Sequence, residues 1–213
     1  MIEIKSFQVS PIMTNNYVVS DDTREACIID CSCTKESEWE EIKNYITEKR
    51  LKLVHMLCTH LHFDHVMGCG YVYRDFGLEV EGSISDLEQY NQRDLYVEAF
   101  GMSSAGLLPA PKMNDISSKR YLTFGGHEIA IIQTPGHTPG GLSYYCRKEN
   151  AVFVGDTLFQ SSIGRTDLPG GNSNQLIRSI KNGLLTLPPT THVFPGHGPS
   201  TTIEYEQKFN PYI

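Results

Sequence analysis

Seven residues suited to holding metal ions recur in short, separated stretches of this chain. His60, His62, Asp64 and His65 share the run Thr59-His60-Leu61-His62-Phe63-Asp64-His65, while His137, Asp156 and His197 each sit beside a glycine further on. A chance H-x-H-x-D-H pattern has a probability of about 5 × 10⁻⁴ in a chain of this composition, so the run is a specific signal. In extended backbone, residues two apart point the same way, and His60 and His62 can therefore share one ion. Asp64 and His65, where the chain turns toward a helix, can aim at a second position. Glycine next to His137 and His197 lets the backbone bend tightly enough to turn each imidazole inward. Asp156, at the end of the apolar stretch Ala151-Val152-Phe153-Val154-Gly155, is the best bridge between two ions. The expected sets are His60, His62, His137 and Asp156 for one ion, and Asp64, His65, His197 and Asp156 for the other. Nitrogen and oxygen ligands without thiolate suit divalent zinc first, with iron or manganese also compatible. A complete set with an open bridging position points to catalysis rather than a structural ion.

The elements that must present these residues follow from periodicity. Residues 1–30 read as a β-meander: Ile2/Ile4 and Phe7/Val9 alternate, and Ala26-Cys27-Ile28-Ile29 is a buried strand ending at Asp30. Ser37-x-x-Glu40 has capping-box spacing, and Trp39, Ile42 and Ile46 share a face of a helix over 37–50. Leu53 to Cys58 is a strand delivering the chain into the histidine run, and a helical stretch follows to Gly77. Ser85-x-x-Glu88 predicts another helix through Leu95, and residues 101–115, with two prolines and two glycines, read as a loop that could serve as a lid. Gly125-Gly126 marks a hairpin, Leu142 to Cys146 pairs with Ala151 to Val154, and Asn172-x-x-Gln175 starts a last helix stopped by Pro188-Pro189. Thr191 to Phe194 is a final strand. No repeat or linker interrupts residues 1–213, so one domain is expected.

Composition narrows the function classes. With 18 basic and 25 acidic residues the net charge is −7, which opposes nucleic-acid binding. No apolar run approaches the roughly 18 residues of a membrane span, and the N-terminus lacks the continuous apolar stretch of a signal peptide, so a cytoplasmic protein with no membrane partner is expected. The six cysteines form no C-x-x-C pair and lie mostly in apolar runs, so reduced thiols are expected, Cys31-Ser-Cys33 being the one pair open to redox chemistry. His55, His127 and His192 match no motif and read as structural. Tyr90, Tyr96 and Phe100 read as helix packing rather than a substrate wall, and one of Tyr144 and Tyr145 as core.

The T-H-x-H-x-D-H run, together with Gly136-His137-Thr138, Gly155-Asp156-Thr157-Leu158-Phe159 and Pro195-Gly196-His197-Gly198, resembles the metallo-β-lactamase superfamily over nearly the whole chain. The resemblance implies an α/β architecture, an αβ/βα four-layer sandwich with the metals at one edge, and a structural role near the site for Asp30. Among its branches the chain looks most like glyoxalase II and its short relatives, which hydrolyse thioesters such as S-lactoylglutathione. That implies a metallo-hydrolase with two divalent ions, a small acyl-thioester substrate and Asp64 as both ligand and orienting group for the attacking water. Where glyoxalase II has G-K-F-Y, this chain has Gly164-Arg165-Thr166-Asp167, so Arg165 is the candidate for a substrate carboxylate, and pairing of Arg165 with Asp167 is the competing reading. The same Gly-Arg-Thr-Asp run resembles persulfide dioxygenases, in which His60, His137 and Asp156 would hold a single non-haem iron. Lactonases share H-x-H-x-D-H and make ester hydrolysis a further alternative.

Overall fold

The computed structural model describes residues 1–213. Strands β1 (Ile2–Val9), β2 (Thr14–Asp21) and β3 (Glu25–Ile29) form the antiparallel meander, after which helix α1 (Glu36–Glu48) crosses to the parallel strand β4 (Lys52–Leu57). Helices α2 (Phe63–Val66) and α3 (Cys69–Phe76) follow, then strand β5 (Val80–Gly82), helices α4 (Leu87–Asn91) and α5 (Arg93–Ala99), and strand β6 (Met113–Asp115). These strands make one six-stranded sheet in the order β1-β2-β3-β4-β5-β6. The second half supplies β7 (Tyr121–Phe124), β8 (His127–Gln133), β9 (Leu142–Cys146) and β10 (Ala151–Gly155). After them come the small hairpin β11 (Leu158–Phe159) and β12 (Ser162–Ile163), helix α6 (Ser173–Asn182), β13 (His192–Pro195), β14 (Thr201–Thr202) and helix α7 (Ile203–Phe209). The second sheet runs β14-β13-β10-β9-β8-β7.

The two sheets face one another with helices outside, an αβ/βα sandwich of four layers, and strand alternation explains it. Tyr17, Val19, Cys27 and Ile29 of the first sheet meet Phe124, Ile129, Tyr144 and Phe153 of the second. The intervening residues Val18, Ala26 and Ile28 turn the other way, onto Trp39, Ile42 and Ile46 of α1. Val152 and Val154 likewise turn outward onto Leu176 and Ile180 of α6. A strand covered on both faces needs apolar residues at every position, which is why β3 and β10 read as unbroken apolar runs. Tyr144 and Tyr145 are both buried, on opposite faces of β9, so each serves a different core rather than only one of them being interior.

Several local expectations change. Ser37 does not cap α1: its neighbour Thr34 donates its N–H and hydroxyl to Glu38 (2.8 and 3.0 Å), and the helix starts at Glu36. The helix expected from Ser85 begins instead as a 3₁₀ turn over Ile84–Asp86 capped by Ser83, then breaks into α4 and α5 at Gln92. Residues 113–115 of the expected loop pair in parallel with β5. Asn172 caps α6 as its spacing predicts, its side chain accepting from Gln175 N–H. All six cysteines are free and buried. No helix is long and apolar enough to cross a membrane.

Candidate metal centre

Each candidate ligand sits just past a strand end, at one edge of the sandwich. The run 60–65 follows β4, His137 follows β8, Asp156 follows β10 and His197 follows β13. Ligand atoms of His60, His62 and His137 lie within 4.8 Å of one another, as do those of Asp64, His65 and His197, and those of His60, His65 and Asp156. Asp156 stands between the first two groups: its Oδ1 is 3.4 Å from His65 Nε2, and its Oδ2 is 3.8 Å from His137 Nε2 and 3.7 Å from His197 Nε2. His197 Nε2 is 3.1 Å from Asp64 Oδ2. All seven residues named from the sequence therefore meet at one place.

The supporting hydrogen bonds fix how the imidazoles present themselves. His137 Nδ1 donates to the Arg165 carbonyl (2.7 Å), because a carbonyl can only accept, and this leaves the Nε2 lone pair facing the cluster. Thr59 Oγ1 gives its proton to Asp30 Oδ2 (2.7 Å), so it accepts from His60 Nδ1 (3.1 Å), with the same result for His60 Nε2. Asp30, at φ +58° just after β3, also accepts from Thr59 N–H (2.7 Å) and lies 3.0 Å from His65 Nδ1, at an angle outside hydrogen-bond geometry. Gly155 and Gly196 are required by closeness: a Cβ at Gly155 would meet Thr59 Oγ1 at 2.2 Å, and one at Gly196 would meet Asp156 Oδ1 at 2.3 Å.

Whether this donor set fits a cation can be read from its unmet needs. His60 Nε2, His65 Nε2, His137 Nε2 and Asp156 Oδ1 are buried without hydrogen-bond partners. A buried polar atom left unpaired costs about 1–3 kcal/mol, so four aimed at one centre fit a cation that satisfies them together. The protonation pattern agrees. Burial, then the charges of neighbouring histidines, holds His60 far below the ordinary imidazole range, and the same causes bring His62 down to about 4. Both are therefore neutral and able to donate a lone pair near pH 7. Burial would lower His65 as well, but the carboxylates of Asp64, Asp30 and Asp156 raise it instead. Burial works to raise the Asp156 carboxyl, yet His65 and the other imidazoles hold it low. The pocket is thus an anionic, desolvated place that favours positive charge.

Residues that spacing did not reveal position these ligands. Asp86, fully buried, accepts from Leu61 N–H (3.3 Å), Thr138 Oγ1 (2.8 Å) and Gly140 N–H (2.6 Å), tying the His60–His62 segment to the His137 loop. Asn15 Nδ2 donates to Pro195 O (3.0 Å) and Gly198 O (2.9 Å), and Asn15 N–H donates to Gly196 O (2.7 Å), gripping the loop that carries His197. Asn15 lies at the start of β2, two residues before the apolar Tyr17-Val18-Val19, and a polar residue opening an apolar strand is the signal that was present in the sequence.

A cavity of about 220 Å³ opens over the cluster, with His62, Asp64, His137, Asp156 and His197 at its floor. Ile12, Phe63, Tyr96, Phe100, Leu168 and Pro169 form its walls. Tyr96 and Phe100 thus face the cavity, against the expectation of simple helix packing, because the break at Gln92 turns α5 toward α2. Only Tyr90 of that stripe is interior, donating to Pro111 O (2.7 Å). Arg165 lies at the rim with its guanidinium paired bidentately to Asp167, at 2.7 Å for each bond.

Comparison with known proteins agrees with this architecture. The family profile described as the metallo-beta-lactamase superfamily matches residues 9–197. A probable metallo-hydrolase of Bacillus subtilis is 37% identical over 96% of this chain and 94% of its own length. The hydroxyacylglutathione hydrolase GloC of Haemophilus influenzae is 32% identical over 100% of this chain and 98% of its own length. Among solved structures, TTHA1623 in a di-iron-bound form superposes with a TM-score of 0.85 at 32% identity, covering 98% of this chain and 100% of that one.

Proposed function

The chain belongs to the metallo-β-lactamase superfamily, and from that premise we propose that it is a thioester hydrolase working at a binuclear centre, with zinc as its resident metal. The observation that carries the reading is the sharing of Asp156 between two imidazole-bearing groups beneath an open, apolar-walled cavity. The similarity to a hydroxyacylglutathione hydrolase along nearly the full length of both chains supports the choice of thioester over other acyl substrates. His60, His62 and His137 would hold one ion, Asp64, His65 and His197 the other, and Asp156 both.

When bound, two divalent ions supply Lewis acidity and a water whose pKa is brought near neutrality. The chain's own residues do the rest. Asp64, held 3.1 Å from His197 Nε2, offers a carboxylate oxygen that accepts a hydrogen bond from the attacking water and sets its direction. Asp30 and Thr59 keep His60 in the tautomer that presents Nε2, and the Arg165 carbonyl does so for His137. Phe63, Tyr96 and Phe100 line the cavity above the site with apolar surface. A departing thiolate, with an ordinary pKa near 8.5, needs no strong general acid.

The persulfide dioxygenase alternative needs only His60, His137 and Asp156, and the convergence of Asp64, His65 and His197 on the same carboxylate favours the two-ion reading over it. The test is metal analysis of the purified protein together with thiol release from acyl thioesters. Two metal equivalents per chain with thiol release are expected. One iron per chain with oxygen uptake on a persulfide, or hydrolysis of lactones with no thioester cleavage, would overturn the proposal.

A further inference from the structure

The walls of the cavity bear on which thioester fits, and the following rests on the thioester reading. Apart from the histidines of the floor, the lining holds a single cationic side chain, Arg165, and that guanidinium is already matched by Asp167 through two bonds of 2.7 Å. An anionic substrate group therefore meets a pair of zero net charge rather than a free cation. Everything else above the floor that a substrate's non-reacting part would touch is dominated by apolar surface: Ile12, Phe63, Tyr96, Phe100, Leu168 and Pro169. Phe63 and Phe100 pack at 4.9 Å between ring centroids, giving a rigid aromatic wall although Phe100 remains half exposed. Gln89 Nε2 donates to the Pro169 carbonyl (3.3 Å), joining α4 to the opposite wall and setting the width of the cleft.

Size points the same way. Apolar cavities near 150 Å³ hold one benzene ring, whereas pockets for drug-sized ligands run from about 300 to 1,000 Å³. At about 220 Å³ this cavity accommodates the reacting carbonyl with one aryl ring or a short alkyl chain, and leaves most of a tripeptide thiol outside.

We propose that the preferred substrates are thioesters of small, uncharged, apolar thiols, of aryl or short-alkyl size, rather than of an anionic peptide thiol such as glutathione. Phe100 and Tyr96 are then the specificity-determining residues, and the Arg165–Asp167 pair is the feature that denies a carboxylate-bearing thiol its counter-charge.

The experiment compares kcat/KM for three acetyl thioesters, of benzyl mercaptan, N-acetylcysteamine and glutathione, on the metal-loaded protein. The benzyl thioester is expected to exceed the glutathione thioester by at least about tenfold, the scale of burying one aromatic group. Phe100→Ala is expected to raise KM for the benzyl thioester by about tenfold and to change the glutathione thioester by less than about threefold. Asp167→Asn is expected to lower KM for the glutathione thioester, since it frees the guanidinium, with no such gain for the benzyl one. A glutathione thioester cleaved as well as or better than the benzyl thioester overturns the inference while leaving thioester hydrolysis intact. Failure to cleave any of the three overturns the thioester reading itself.

Discussion

Asn15→Ala separates the two halves of the centre. Its amide donates to Pro195 O and Gly198 O, and neither bond survives in alanine, while the backbone bond from residue 15 to Gly196 O does. The Pro195 carbonyl retains the Tyr17 hydroxyl (2.7 Å), and Gly198 is exposed, so water can replace its lost partner. The net stability loss is accordingly modest, about 1–2 kcal/mol at the usual worth of a hydrogen bond. The local consequence is larger, because the loop that aims His197 at Asp64 and Asp156 loses its lateral grip. Removing such an outer contact ordinarily costs 10–100-fold in metal affinity, and here the cost should fall on the Asp64–His65–His197 side alone. Chelator competition with stoichiometry measured at each step should show one ion released about 10–100-fold more readily, the other unchanged, and urea unfolding of the metal-free protein should give the small stability loss. Parallel weakening of both ions, or no weakening of either, would refute the role given to Asn15.

Asp156→Ala should abolish binding of both ions together, measured as metal per chain after gel filtration; retention of a full complement would show that the carboxylate is not shared. Asp86→Ala leaves Leu61 N–H, Gly140 N–H and the Thr138 hydroxyl without their acceptor, and at about 1 kcal/mol or more for each the expected loss is about 3 kcal/mol by urea denaturation. His55 donates from both ring nitrogens, to Glu81 (2.6 Å) and to Thr123 O (3.0 Å), which requires the imidazolium, and the hydrogen bond to Glu81 raises its pKa above the ordinary value despite partial burial. Its contribution to stability is thus complete below about pH 6.5 and lost as pH rises through the raised folded-state value; His55→Gln should flatten that part of the pH–stability curve, and an unchanged curve would remove His55 as its cause.

Why the candidate metal ligands were legible and their supports were not is a matter of range. His60, His62, Asp64 and His65 are neighbours in sequence, and a spacing of two in extended chain carries its own geometric meaning. The strand ends that bring in His137, Asp156 and His197 could be read from the apolar runs of β8, β10 and β13, of which β10 is buried at every position. Asp86 shows the limit. Ser85-x-x-Glu88 has the local form of a helix start, but the Asp86 side chain is drawn inward to donors 25, 52 and 54 residues away, and the backbone follows it into a 3₁₀ turn. The aromatic stripe was misread for a separate reason, the break at Gln92 that splits α4 from α5. Helix α7 and the two-residue strands β11 and β12 fall below the length at which periodicity speaks. Glu206 of α7 secures that region by accepting from Thr201 Oγ1, Ser161 N–H and Asn210 Nδ2, again contacts that spacing alone does not encode.

Long-range contacts also hold the site rigidly. Ligands arrive from both sheets, so their mutual distances depend on how the sheets pack and not on any one loop. Tyr144, interior to the sandwich, donates from its hydroxyl to the Cys58 carbonyl (2.7 Å), and the Thr59 carbonyl accepts from Leu142 N–H (2.7 Å). These bonds fasten the strand end that delivers His60 and His62 directly to β9 of the opposite sheet. Asp86 adds a second tie to the His137 loop, and Asn15 ties the first sheet to the His197 loop. The segments that carry His60 to His65, His137 and His197 are thus each bonded across the sandwich to the other half. An unpartnered set of imidazole lone pairs can be kept in place only by such cross-links, because each orphaned atom favours a relaxation that would bring it to water.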